Sequence, residues 1–262
     1  MPLPSPLRWP GIALLAGLSG CAALRGNEPT TVSASQTVLS AYWFRGVPRS
    51  LEAVTQGDLE VDTPLSTGGA LSFVSWFNMQ LTNQTGDAAF PDGQGGEATE
   101  LDLVLDYTHP FGPLLASVGG IGYHLPEIGP STREAYVRGE FLAVGLQHAL
   151  TAYYDLDQLD DFYFSYQAAD RYVLDERWSA SLALLLGYMR SGQSEFHFGR
   201  ARSGLSDLML TGALSYAFDR NTSLFLKVAG VTVPDDELAQ ASSDLDRDDS
   251  GLWVAIGAAW GL

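Results

Sequence analysis

The chain has 262 residues, 46% hydrophobic and only 17% charged. Together with 28 glycines and 11% aromatics, this excludes a disordered or coiled-coil chain and suits one large β domain with tight turns. With 31 acids against 14 bases the formal charge is -17, which excludes simple electrostatic attraction to nucleic acid or anionic membrane surfaces and favours cations as partners.

At the N-terminus, Arg8 precedes the apolar run 11–18, which is too short for a spanning helix but has the length of a signal sequence. Residues 1–20 are expected to be a signal segment for export. The stretch LSGC ending at Cys21 has the pattern of a bacterial lipobox, so Cys21 is the expected lipid-modified first residue of the mature chain. Ordinary cleavage near Ala23 is the competing reading. Cys21 is the only cysteine, so no internal disulfide forms. Residues 21–36, polar and rich in Thr and Ser, are expected to be a flexible tether, and Ala22 in place of Asp fits sorting to the outer membrane.

From residue 37 to residue 262 about twelve segments alternate with a period of two. They fall near 37–47, 53–64, 70–82, 99–109, 113–125, 131–143, 146–155, 161–174, 178–190, 205–218, 222–233 and 251–262, each near the length of a tilted membrane-crossing strand. No apolar run after the N-terminus is long enough for a spanning helix, and no helical pattern interrupts the segments. Connections after even segments are short (HPFGP, AVGL, LDER, FDRN), whereas most after odd segments are long, as in NQTGDAAFPDGQGGEA and PDDELAQASSDLDRDDS. Sorting of loop length by parity is expected of an up-and-down transmembrane β-barrel. The first connection, around VPRSLE, is the brief exception.

In ELDLVLDYTHPFGP, residues 100–113, leucines alternate with carboxylates. A soluble sheet would turn the leucines into a dry core, and a membrane barrel would turn them to lipid with Asp102 and Asp106 in a wet interior. Faces match across the short turns: Asp58, Glu60 and Asp62 lie beside Ser72 and Asn78, and Glu134, Tyr136 and Arg138 beside Thr151, Tyr153 and Asp155. Across HPFGP the same reading puts Asp102 and Asp106 with Ala116, Gly120 and Gly122. The opposite face, with Leu182, Leu210, Leu226, Val254 and Ile256, is apolar. Two packed sheets remain the alternative, although twelve strands around such a core would enclose more volume than these side chains fill. Tyr42, Trp43, Tyr107, Tyr123, Tyr153, Tyr154, Tyr172, Trp178, Tyr188, Tyr216 and Trp253 gather near segment ends and are expected in two aromatic girdles.

LSAYWFRGVPRSLEAVTQGDLEVDTPL, with Tyr42, Phe44, Arg45, Gly46, Gln56 and Gly57, resembles the opening of the proteobacterial TorF-like porin family. ELDLVLDYTHPFGPLLASVGGIGYHLPE and DDFYFSYQAADRYVLDERWSASLALLLGYM are similar to later parts of that family. The resemblance implies a Gram-negative outer-membrane porin without catalytic residues to carry over. The lipobox and the ending AAWGL depart from the usual barrel pattern.

The residues expected to line the lumen are Arg45, Asp58, Glu60, Asp62, Glu100, Asp102, Asp106, Glu134, Arg138, Asp207 and Lys227. Excess carboxylate would concentrate cations and repel anions, giving passive diffusion of small, preferably cationic solutes. The alternative is a sealed structural or interaction barrel whose charges pair across the lumen and whose acidic loops meet a partner. No cofactor or metal is expected, and outer-membrane lipids are the expected surroundings. Asp244, Asp246 and Asp248 alternate as in a calcium loop, but the loop glycine and bidentate Glu are missing, so a solvated acidic loop is the simpler reading. No nucleophile motif accompanies His109, His124, His148 or His197; a meeting of His124 or His197 with a loop acid such as Asp160 is the one catalytic alternative, and no enzyme is expected.

Overall fold

A computed structural model describes residues 29–86, 88–126 and 130–261; residues 1–20, Cys21 and the first part of the expected tether lie outside the described residues. In chain order the elements are β1 (Thr31–Leu39), β2 (Tyr42–Phe44), β3 (Val47–Ser50), β4 (Val54–Pro64), β5 (Ala70–Gln80), β6 (Ala98–Phe111), β7 (Leu114–His124) and β8 (Thr132–Ala143). They continue as β9 (Leu146–Asp155), β10 (Phe162–Val173), β11 (Trp178–Met189), α1 (Ser191–Phe198), β12 (Gly204–Ala217), β13 (Thr222–Thr232), α2 (Asp236–Asp244) and β14 (Ser250–Gly261). All strands except β2 and β3 form one closed antiparallel barrel of twelve, each paired with its sequence neighbours, and β1 seals it by pairing with both β4 and β14.

The alternation in β6 decides the orientation of the wall. Leu101, Leu103 and Leu105 are 37%, 47% and 55% exposed on the outside, whereas Glu100 and Asp102 keep only 4% and 2% on the inside. Outward residues elsewhere continue the apolar face, with Leu182, Leu210, Leu226, Val254 and Ile256 all exposed. The sheet closes on itself instead of splitting into two packed layers, so the sandwich alternative is excluded.

Four expectations are corrected. First, β1 begins at Thr31, so the tether does not reach residue 36 and the first strand does not run to residue 47. Its sequence, TVSASQTVL, sets Thr and Ser against Val, Ala and Gln, a weaker contrast than the leucine and carboxylate alternation of β6. The first connection therefore spans 40–53 and belongs with the long loops, which removes the exception to the parity rule.

Second, the β6–β7 turn consists only of Gly112, at φ 62°, and Pro113, with Phe111 opposite Leu114. Asp102 and Asp106 thus face Tyr123 and Gly119, on the same side as Ser117 and Ile121. Ala116, Gly120 and Gly122 lie on the outer face. A turn read too long slipped the register by three residues, an odd number, which exchanges every side chain between faces.

Third, α1 and α2 occupy two of the long loops. Asp235 caps α2 by accepting from the backbone N–H of Glu237 and Leu238, and Leu238 and Ala241 turn one face inward.

Fourth, the aromatics divide. Tyr154 and Tyr188 join Phe162 and Phe164 at the loop-side rim, and Trp178 packs on Tyr216 at the turn-side rim. Tyr42, Tyr123, Tyr153 and Trp253 are instead buried inside the barrel.

β2 and β3 form a hairpin turned into the lumen, built on Arg45 and Gly46 with φ of 50° and 82°. Two successive left-handed residues are what a tight hairpin turn needs. On the loop side Val47 joins Tyr123, Tyr153, Tyr163, Met189, Phe198 and Leu238 in one core, while Tyr42 joins Val54, Trp76, Phe90 and Trp253 in a second. The loop-side half of the barrel is therefore packed around the hairpin.

Candidate functional site

All eleven residues expected to line the lumen point to the inside of the barrel. They divide into two levels. Toward the turn side, Asp58, Glu60, Asp106 and Arg138 are half-buried, whereas Asp62 and Lys227 are buried. These groups are held along the wall: Ser35 donates to Asp58, Ser72 to Asp62, and Thr108 and Tyr136 donate to Asp106 at 2.7 and 2.6 Å. Arg138 pairs with Glu140 at 3.1 Å, and the Lys227 ammonium lies 4.6 Å from the centre of the Phe225 ring. These contacts run within one strand, as for Arg138 and Glu140, or to a neighbouring strand, as for Ser35 and Asp58.

The second level is organised by the hairpin. Its tip places the Arg45 guanidinium against Glu134 in a two-pronged pair, 2.7 Å to Oε1 and 2.6 Å to Oε2, with both side chains almost fully buried. Planar guanidinium and carboxylate match in this geometry. The Tyr123 hydroxyl also donates to Glu134 at 3.0 Å. Arg45 lies 4.2 Å from the Tyr163 ring centre, 4.9 Å from that of Phe44 and 5.1 Å from that of Tyr153, so its charge sits within an aromatic cage. Gly46 brings backbone against the Ser206 carbonyl, where a Cβ would collide. Tyr42 donates to Glu100 at 3.0 Å, and Asp207 accepts from Ser206 at 2.6 Å and from Tyr163 at 3.2 Å.

Beside the hairpin lies a cavity of about 50 Å³, bounded by the hairpin residues Tyr42 to Gly46 and by wall residues that include Trp76, Asp102, Tyr123, Asp207 and Trp253. Asp102 stands opposite Trp76 in the β5–β6 register, and its Oδ1 has no hydrogen-bond partner. Trp76 Nε1, Trp43 Nε1 and Arg45 Nε are likewise without acceptors.

The sequence reading placed the charged members of this site on one face. It missed the hairpin and the inward Trp76, Tyr163 and Trp253. The available signal was Arg-Gly between two short β-prone runs, YWF and VPRS, which is a hairpin pattern.

The histidines are dispersed. His109 stacks between Tyr107 and Phe111 on the outer face, and His148 lies between Phe141 and Tyr166. His124 contacts Ser131 at 2.9 Å. His197, in α1, is buried against Phe44 with Nδ1 3.4 Å from Arg49 Nη2. Burial, followed by the charges of Arg49, Arg45 and Arg247, holds its pKa well below the usual histidine value. Neither His124 nor His197 is brought to Asp160. Asp244, Asp246 and Asp248 stay exposed, and among the described residues no group of three or more His, Cys, Asp or Glu is arranged to hold a metal.

No protein-family model matches the sequence, and no curated protein matches it. Among solved structures the chain is similar to the COG4313 outer membrane channel from Pseudomonas putida F1, with a TM-score of 0.56 and 12% identity over 92% of this chain and 98% of that one. It is also similar to the NanC porin, with a TM-score of 0.50 and 10% identity over 88% of this chain and 100% of that one. At such identities the likeness concerns the fold: a closed antiparallel barrel of the kind those outer-membrane proteins have.

Proposed function

We propose that this chain is an outer-membrane channel for passive diffusion of small, preferably cationic solutes, constricted from within by the β2–β3 hairpin. One observation carries the reading: the two sides of the barrel wall have opposite chemistry. Outside is an apolar band with aromatic rings at both rims, which suits acyl chains and the bilayer interfaces. Inside, Asp58, Glu60, Asp62, Asp106, Glu134 and Asp207 are among the carboxylates that outnumber Arg45, Arg138 and Lys227. In a low-dielectric surround such a lumen favours cations.

Twelve strands leave a bore between the filled eight-stranded barrel and the open sixteen-stranded porin, so the solutes are small. The TorF-like porin family and export with Cys21 as an anchor belong to the same proposal, resting on the sequence stretches quoted above. The rival reading, a sealed interaction barrel with acidic loops, draws on one specific observation, the packed loop-side half.

Recording across planar bilayers in a potassium chloride gradient tests the proposal. The expected result is a cation-selective reversal potential that moves toward zero in Asp58→Asn/Glu60→Gln. Electrical silence of both the wild type and a variant with a loosened hairpin, Arg45→Ala, would overturn it in favour of the sealed barrel.

A further inference from the structure

The end of α1 joins three separate elements through one residue. His197 is buried, with its ring 6.0 Å from that of Phe44 in β2 and its Nδ1 3.4 Å from Arg49 Nη2 in β3. From the other side Arg247, in the segment between α2 and β14, donates to the His197 carbonyl at 3.3 Å. The adjacent Phe198 shares a core with Val47 of the hairpin and with Leu238 and Ala241 of α2. A guanidinium carries donors only, so the Arg49 contact needs the lone pair on Nδ1 and leaves the ring proton on Nε2. A proton arriving at Nδ1 sets donor against donor, so the docked arrangement fits only the neutral ring.

The surrounding charge works in the same direction: after burial itself, Arg49, Arg45 and Arg247 are the groups that disfavour a charged ring. The carboxylates on the elements packed against α1 are engaged elsewhere. Just before β10, Asp161 meets Arg190 at 3.4 Å and accepts from the Gly192 N–H at 2.7 Å. Asp244 of α2 lies 3.6 Å from Arg200, and Asp235 and Glu237 hold Arg202. In the lumen Glu134 is paired with Arg45, and Glu100 accepts from Tyr42. Glu195 of α1 and Asp246 and Asp248 beside Arg247 are exposed, and Asp249 is half-buried. From this geometry we infer that His197 is a proton-operated latch on the loop-side mouth: neutral, it holds α1 on the β2–β3 hairpin; protonated, it frees both and opens the passage. The proton taken up at Nδ1 breaks the Arg49 contact and adds a fourth positive charge to the three arginines. With the released ring at the ordinary value of about 6.5, the ratio of open to closed mouths rises about 25-fold between pH 7 and pH 5. The latch goes beyond the channel reading and rests on it only for current as one of two readouts.

The test places the full-length barrel in planar bilayers with symmetric potassium chloride and steps the pH from 7 to 5. Occupancy of the larger conductance level should grow, by up to about 25-fold in the open-to-closed ratio, and should return at pH 7. Protonation of lumen carboxylates has the opposite sign, since it lowers a cation current. His197→Phe should stay closed at both pH values, and His197→Lys, charged throughout, should be open at both. If His197→Lys loses heat-modifiable folding, Arg49→Met decides. With the donor opposite Nδ1 gone, the docked ring tolerates a proton, and the pH step should shrink to below about fivefold whatever the baseline.

A ratio that stays level or falls in the wild type, or a rise of the same size in His197→Phe, would overturn the latch. Hydrogen exchange of the amides in 42–50, corrected for its intrinsic pH dependence, reads the latch without current. Protection should fall between pH 7 and pH 5 in the wild type and hold in His197→Phe. The two proposals fail separately: a silent barrel that shows this loss of protection loses the channel reading alone, and a conducting barrel without a His197-dependent step loses the latch alone.

Discussion

Replacing Arg45 by alanine should release the hairpin while leaving the barrel folded. In the native chain the guanidinium meets both oxygens of Glu134 at 2.7 and 2.6 Å, with both side chains almost inaccessible. Removing one partner of a buried pair leaves an uncompensated charge and costs about 3–5 kcal/mol. The Tyr163 ring, 4.2 Å away, adds about 0.5–2 kcal/mol of cation–π attraction that is lost as well. At about 1.4 kcal/mol per factor of ten, the ratio of docked to undocked hairpin should fall on the order of 100- to 5,000-fold from the ion pair alone. The twelve-strand ladder does not include β2 or β3, whose other backbone bonds run from Ala89 and Phe90 of the β5–β6 loop to the Pro48 and Arg49 carbonyls, so heat-modifiable mobility should persist. Two measurements read the result: single-channel conductance, expected to rise, and hydrogen exchange of the amides in 42–50, expected to accelerate while those of β10 and β11 do not. Arg45→Ala/Glu134→Ala removes both charges and should restore much of the docking, because no lone carboxylate remains. Unchanged conductance together with unchanged exchange in Arg45→Ala would refute the assignment of this pair as the hairpin's anchor.

Gly46→Val forces a branched side chain into a left-handed position, φ 82°, where its Cβ meets the Ser206 carbonyl. The backbone penalty is about 1–2 kcal/mol before the collision is counted, so conductance should rise as in Arg45→Ala without any change in lumen charge. His197 gives a pH dependence: its folded pKa is depressed, so the unfolded segment takes up a proton that the folded one rejects. The stability it contributes is full above the ordinary histidine value of about 6.5 and declines as pH falls below it. Protection factors of the α1 amides, exchange rates corrected for their intrinsic pH dependence, should therefore fall between about pH 7 and pH 5, and His197→Phe should flatten that response. Leu105→Arg puts a charge on the outward face near mid-strand, where it is 55% exposed to what the proposal takes as lipid. A loss of about 2–4 kcal/mol in urea titrations of vesicle-folded protein is expected, against near neutrality for the same change in a soluble surface strand.

Most of the wall was legible because each strand must satisfy two solvents at once. Leu101, Asp102, Leu103 and the long acidic connections state the inside, the outside and the two rims in one dimension, and a closed sheet leaves little choice of topology once the neighbours pair in order. The signal fails where that constraint lapses. β1 opposes Thr31, Ser33, Ser35 and Thr37 to Val32, Ala34, Gln36 and Val38, a contrast of small side chains broken by Gln36, so its pattern is faint and places the start six residues late, at 37 instead of Thr31. The β6–β7 slip arose from a turn whose length the pattern of HPFGP does not fix.

The interior of the loop-side half was illegible for a different reason. Inside a barrel, a tyrosine that caps a carboxylate and a tyrosine that sits at a bilayer rim occupy the same strand-end positions, and alternation alone cannot separate them. Tyr153 and Tyr154 are adjacent in sequence, and one contacts Arg45 while the other packs on Phe162 at the outer rim. What separates them is the presence of something in the lumen to pack against, and that object, the hairpin, is short and made of β-prone residues that extend the strand pattern without a break. An Arg-Gly turn between two such runs is its one sequence mark. The charge of Arg45 explains why the hairpin goes inward at all: among so many inward carboxylates, a basic tip gains a buried partner in Glu134 that it would lack in the solvent above the rim. The same excess of carboxylate over base on which the proposed cation preference rests thus also holds the hairpin in place.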